Sequence, residues 1–272
     1  MIRLRVLGGC GLAFDCTGTP PGPGLRPRVL AVLALLAGHR SEGISRDKLL
    51  GYLWPDSDCV HARNSLKQAL FSLRRSFDGR LLISDAGFLR LDPSAADVDL
   101  WDFESALLTG EEVLAVGMYR GPFLDGFYID GLGEFERWVE TQRQWLAHEY
   151  ARVLATLAIR ADRCDDRHVA ITWWRRLAAA EPLSALPALG LMRALEAAGD
   201  PTGALDHGRK HAALVEAELG APVSDEIRVL MRQLAFQGRT PRPVRGPWLQ
   251  PRRNRPAPDG FRAPSVEPAS AS

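Results

Sequence analysis

The chain has 272 residues, 46% of them hydrophobic and 25% charged, which gives room for one large or two ordinary domains with cores of their own. No run approaches the roughly 20 apolar residues that cross a bilayer. The opening "MIRLRVLGGCGLAF" lacks the apolar core and cleavage site of a signal peptide, so a cytoplasmic protein without membrane contact is expected. The net charge of +1 hides a division. Basic against acidic residues number 13 to 10 over residues 1–99, 14 to 21 over 100–237 and 7 to 2 over 238–272. Different segments are therefore built for different partners.

"IRLRVLGG" alternates apolar and basic residues as a half-exposed strand does. "TGTPPGPG" (17–24) is a turn-rich loop. Pro27 suits the first turn of a helix carrying Val29, Leu30, Leu33 and Leu36 and ending at Gly38. Ser45 can cap a short helix that Pro55 stops, and Ser57 or Asp58 can cap the next. "RLLISDAGFLRLD" reads as a hairpin turning at 85–87. From Asp99 onward strand signals vanish. A long amphipathic helix, with a break allowed for, starts at "GEFERW", and further helices follow between "CDD", "EPLS", "AGDP" and "GAPVS". A shift of 34 places lays Asp166, Ala170 and Ile171 on Asp200, Ala204 and Leu205, a tetratricopeptide-like period, with Gly208 where the first copy has Trp174. Trp138, Trp145, Trp173 and Trp174 are expected to pack between repeat helices. Beyond Gln237, eight prolines among arginines predict a disordered basic tail.

The segment "NSLKQALFSLRRSF" (64–77) is the most informative. At 100° per residue, Ala62, Leu66, Ala69, Leu70, Leu73 and Phe77 form one apolar stripe. His61, Asn64, Gln68, Phe71 and Arg75 point the other way, with Arg63, Lys67 and Arg74 on the flank. A charged stripe is usually a solvated face, but such faces mix signs, and here no acid falls between Asp58 and Asp78. Asn and Gln amides match adenine edges, while Arg and Lys match guanine or phosphate. The short helix and turn before it make it the second helix of a helix-turn-helix, the one that enters a major groove. Asn64, Gln68 and Arg63 are candidates for reading bases; Lys67, Arg74 and Arg75, with Arg90 of the hairpin, are candidates for holding phosphates. Phe71 is left to a thymine methyl or to packing under the hairpin.

"LRVLGGCGLAF", "RPRVLAVLALLAGHR", "ISRDKLLGYLWPDSD", "ARNSLKQALFSLRR" and "GFLRLD" together resemble the OmpR/PhoB-type winged helix of SARP-type bacterial activators. "VDLWDFESAL", "YRGPFLDGF", "EFERWVETQR" and "ELGAPVSDEIRVLMRQL" resemble the bacterial transcriptional activator domain that follows it. The resemblance implies an α+β winged helix-turn-helix at 1–98, an all-α tetratricopeptide-like domain at 99–237 and a tail at 238–272. It implies a regulator, most simply an activator, that binds direct repeats of double-stranded promoter DNA as a homodimer and recruits RNA polymerase. Carried over residue by residue, the recognition helix supplies Arg63, Asn64, Lys67, Gln68, Arg74 and Arg75, and the loop before it supplies Asp56 and Asp58 as polymerase-contact candidates. The wing reads "AGFLRLD" where the family usually has a Gly-Tyr pair followed by a basic residue.

Other chemistries fit less well. "GHRSEGIS" has P-loop glycine spacing but Ile44 in place of the lysine. His207 and His211 are four apart without a glutamate partner and read as partly exposed helix histidines rather than metal ligands. Cys10, Cys16, Cys59 and Cys164 lie far apart and read as buried thiols. No nucleophile–base pair can be assembled, so no enzyme and no cofactor are expected. The alternatives left open are an adaptor built on the helical domain with DNA binding lost, and repression through the same DNA contact.

Overall fold

The structure, a computed structural model, describes residues 2–14, 25–77, 79–85 and 87–237. The loop at 17–24 and the tail from 238 lie outside the described residues. The first sheet joins β1 (Ile2–Arg5) to β2 (Gly11–Phe14) as an antiparallel pair and to β6 (Ala96–Val98) as a parallel one. A parallel pair needs a long crossover. Here the crossover is the whole intervening unit: α1 (Pro27–Gly38), β3 (Ile44–Ser45), α2 (Arg46–Leu53), α3 (Cys59–Ser76) and the hairpin β4 (Leu82–Asp85) to β5 (Phe88–Leu91). β3 and β5 pair antiparallel, which sets the hairpin beside the start of α2.

Two features of this unit go beyond the local pattern. β6 carries no turn-bounded alternation in sequence, and its three residues are a strand only because β1 lies beside them. α1 is not one apolar stripe but is buried at Val29 and from Ala31 through Ala37. It touches α2, α3, β5 and α4 (Asp99–Thr109), so it is the central post of the unit.

The rest of the described chain is helical: α4, α5 (Glu112–Met118), α6 (Gly133–Arg163), α7 (Arg167–Ala180), α8 (Ala185–Ala197), α9 (Pro201–Leu219) and α10 (Asp225–Gln237). α6 runs its 31 residues without a break. From α6 to α10 each helix packs on the next across short turns. The 34-residue offset appears as equivalent caps, because Asp166 accepts from the Val169 N–H at 3.3 Å and Asp200 from the Gly203 N–H at 2.8 Å. The mismatch of Trp174 with Gly208 also has a cause. The Trp174 indole lies against Gly190 and donates to Asp162 at 2.8 Å, whereas the space over Gly208 is filled by Met192 and Met231. One layer closes over its glycine with a single indole, the other with two methionines.

A methyl at Gly190 would come within 2.4–2.6 Å of the Trp174 ring atoms. Gly190→Ala is therefore expected to lower stability by about 2 kcal/mol, overpacking outweighing the helix propensity gained. Gly208→Ala, whose Cβ would meet the Met192 terminus at 2.8 Å and Met231 Cγ at 2.9 Å, should cost less, because methionine repacks more readily than an indole. Urea denaturation of both variants checks the difference.

The two parts of the chain share a core. One cluster of buried side chains runs from Leu4 to Leu146 across position 98, and a second runs from Val116 to Leu234. Three features build the joint. Asp99 accepts from the Val6 N–H at 2.9 Å and the Leu7 N–H at 3.2 Å, and burial pushes its carboxyl above the usual range against the pull of those donors. The segment 120–124 then folds back on residues 6–9, with Leu124 N–H donating to Val6 O at 2.8 Å and Gly8 N–H to Pro122 O at 3.0 Å. Gly8 has φ +81, and a Cβ there would meet the Arg120 carbonyl at 3.0 Å, so that close approach requires glycine. Lastly, Trp138 of α6 lies over Gly38, stacks on His39 at 5.8 Å and meets Phe123 edge-on at 5.5 Å. Arg143, a turn further along α6, donates to the carbonyls of Phe123 and Leu124 at 2.8 Å each.

Several side-chain expectations are corrected here. Trp138 does not pack between repeat helices but joins α6 to α1 and α2, and Trp145 is 43% exposed. Only Trp174, and in part Trp173, behave as expected. Cys59 and Cys164 are exposed and Cys10 is half-buried, all three free thiols, because Cys59 begins a surface helix and Cys164 ends one. His211 is buried at 6% exposure, its ring nitrogen against Pro182 O at 3.1 Å, because α9 turns that face toward the turn before α8. No helix of the described residues is long and apolar enough to cross a membrane.

Candidate nucleic-acid interface

α3 begins at Asp58, whose carboxylate accepts from the N–H groups of Val60 and His61 at 3.0 Å each and contacts the His61 ring. The His61 backbone bond, then its side-chain bond, hold the Asp58 carboxyl below the usual carboxylate range. The cap is thus charged at neutral pH and is lost as pH falls through the carboxylate range. Asp58 therefore has a structural task beside the contact expected of it, while Asp56 stands exposed in the turn before the helix.

The apolar stripe is where the periodicity puts it. Ala62, Leu66, Ala69, Leu70, Leu73 and Phe77 are all buried. Burying each leucine is worth about 1.5–3 kcal/mol, enough to hold the helix in one rotation about its axis. That rotation exposes Arg63, Asn64, Lys67, Gln68, Arg74 and Arg75 together. Arg90 is exposed on β5, paired in register with Ile83. Phe71 is 64% exposed, which rules out packing under the hairpin.

The charges on this face are left unneutralised. Arg63, Lys67, Arg74 and Arg75 make no ion pair among the described residues. In the helical part several exposed cations do have acidic partners, Arg137 with Glu134, Arg152 with Glu149, Arg160 with Glu112, Lys210 with Asp206 and Arg228 with Asp225, while others, such as Arg175 and Arg193, make no ion pair among the described residues.

Between α2 and α3 runs a groove of about 440 Å³ lined by Arg46, Asp47, Leu50, Arg63, Leu66, Lys67, Leu70 and Arg74. It gathers four cations around one carboxylate. Arg63, Lys67 and Arg74 are thereby brought to one side of α3, whereas Asn64, Gln68 and Arg75 lie outside its lining. Arg46 was not among the expected site residues. It is the first residue of α2 after the Ser45 cap and donates to Ser84 Oγ at 3.1 Å, tying α2 to the hairpin. A cation in a first helical turn opposes the helix dipole, and that misplacement is the sequence signal that points to it.

The chain thus joins a layered helical stack to a small α+β unit that carries a basic, acid-free helix face. Residues 98–235, just over half of the chain, match the profile of the bacterial transcriptional activator domain, and the chain belongs to that family. It is a family of transcriptional regulators rather than of enzymes. Among solved structures the chain is similar to Mycobacterium tuberculosis EmbR in complex with a low affinity phosphopeptide, with a TM-score of 0.61 and 22% identity. That likeness covers 87% of this chain and 65% of the EmbR chain, and at this identity it shows the fold. No curated protein matches the sequence.

Proposed function

We propose that the chain is a SARP-type transcriptional activator whose first 98 residues are a winged helix that binds promoter DNA through α3. The observation that carries this reading is the exposed face of α3, acid-free from Cys59 to Phe77, on which Arg63, Lys67, Arg74 and Arg75 make no ion pair among the described residues. In this reading Asn64, Gln68 and Arg63 read base edges. Lys67, Arg74 and Arg75, joined by Arg46 and by Arg90 of the hairpin, hold phosphates on either side. Two copies occupy a direct repeat, and Asp56 and Asp58 with the helical domain, seven net negative charges over 100–237, face RNA polymerase. The shared core around Trp138 supports this division of labour, since a rigid joint fixes the helical domain relative to the promoter.

Lys67→Ala is expected to weaken binding to all sequences and to reduce the salt dependence by about one counterion. Asn64→Ala should instead relax discrimination at one base pair, at a cost of roughly 1–3 kcal/mol. Binding isotherms on cognate and random duplexes at several salt concentrations separate the two, and equal effects on both duplexes would defeat direct readout. No binding to any duplex, with a partner retained by the folded protein, would favour the adaptor.

A further inference from the structure

We infer that Phe71 reads a thymine C5-methyl in the major groove, an assignment that rests on the DNA-binding reading of α3. Phe71 follows Asn64 by seven residues, which at 100° per residue returns it to within about 20° of the same line on the helix. Lys67 lies between the two in sequence, and Gln68, Arg74 and Arg75 border Phe71. The ring is 64% exposed, in the middle of the exposed basic face rather than at its edge. An apolar protein partner for this ring would have to cover four neighbouring polar and cationic groups, at a desolvation cost that no acid on α3 offsets. A major groove meets both demands at once: its floor and phosphates accept from the cations, and its one apolar feature is the thymine methyl. Seven residues of helix span about 10 Å, or about three base-pair steps. The thymine should therefore lie within about three base pairs of the position that Asn64 discriminates.

The test uses a single half-site enriched from a random duplex pool with the full chain, so that cooperation between two copies does not register. Each thymine is replaced singly by deoxyuridine, which removes the methyl and leaves pairing unchanged. Wild-type protein should lose about fourfold in affinity at one position, the factor that burying one methylene-sized group carries. Phe71→Ala should bind the thymine and uracil versions equally, about fourfold more weakly than wild type binds thymine. Because the ring is exposed, the variant should keep the wild-type circular dichroism spectrum and melting temperature. A thymine–uracil gap that persists undiminished in Phe71→Ala, or no gap at any position in wild type, overturns the inference and leaves the DNA-binding reading standing. If wild-type protein enriches no duplex, both fall together.

Discussion

Replacing Arg63, Lys67 and Arg75 together by alanine is expected to lower affinity for the promoter site by roughly 10²–10⁴-fold at near-physiological salt, three contacts at about 1–2 kcal/mol each. The wild-type protein, neutralising about five phosphates per copy, should show a log–log salt slope near −4 to −5, and the triple variant a slope about two units shallower. All three side chains are exposed and make no ion pair among the described residues, so little stability should be lost with them. Removing three like charges from one helix face should if anything stabilise α3 slightly. A fluorescence-anisotropy titration over a salt series, with a thermal melt alongside, reads both quantities. An unchanged affinity with an unchanged melt would sink the assignment of α3 as the DNA-contacting helix.

The second large effect concerns the joint. Trp138→Ala removes an indole that touches Gly38, His39, Tyr52, Phe123 and Phe135, and should cost about 2–4 kcal/mol. Gly38 has no side chain with which to refill the space; a Cβ added there would lie 2.7 Å from the indole, so the site is shaped around this one ring. Trp138→Phe should recover part of the loss. Urea denaturation followed by far-ultraviolet circular dichroism measures it, and a cost below about 0.5 kcal/mol, the level of an ordinary surface substitution, would mean that the ring is a bystander. If the joint does transmit geometry to the promoter, a folded Trp138→Phe protein should keep its half-site affinity while losing some transcriptional output.

Both predictions concern features that were unequally visible in the sequence. The rotation of α3 was legible because six apolar residues recur at helical spacing and Asp58 marks the start; period and cap are local properties. The repeat was legible for the same reason, through caps 34 residues apart. The fate of the four tryptophans was not. A tryptophan on an amphipathic helix states that one side will be covered but not by what, and Trp138 is covered by α1 and α2, about ninety residues earlier in the chain. Arg46 was passed over because its one local signal, a cation in a first helical turn, does not say what it faces until β3–β5 pairing sets it beside Lys67 and the hairpin.

The sequence by itself determined the three helices and the hairpin of the first unit in order, the side of α3 that is buried, the acid-free run of cations on its other side and the helical character of everything after Asp99. These follow from periodicity, capping and charge spacing, which act within a few residues. Only the tertiary structure decided that β6 closes the first sheet on β1, that residues 120–124 lie against residues 6–9, and that one core crosses position 98. Those pairings join segments tens of residues apart, and their free energy comes from burying specific shapes against each other, which no local pattern encodes. On Phe71 the two meet. Periodicity put the ring on the outward face, and the folded chain leaves it exposed there, as the proposed groove contact requires.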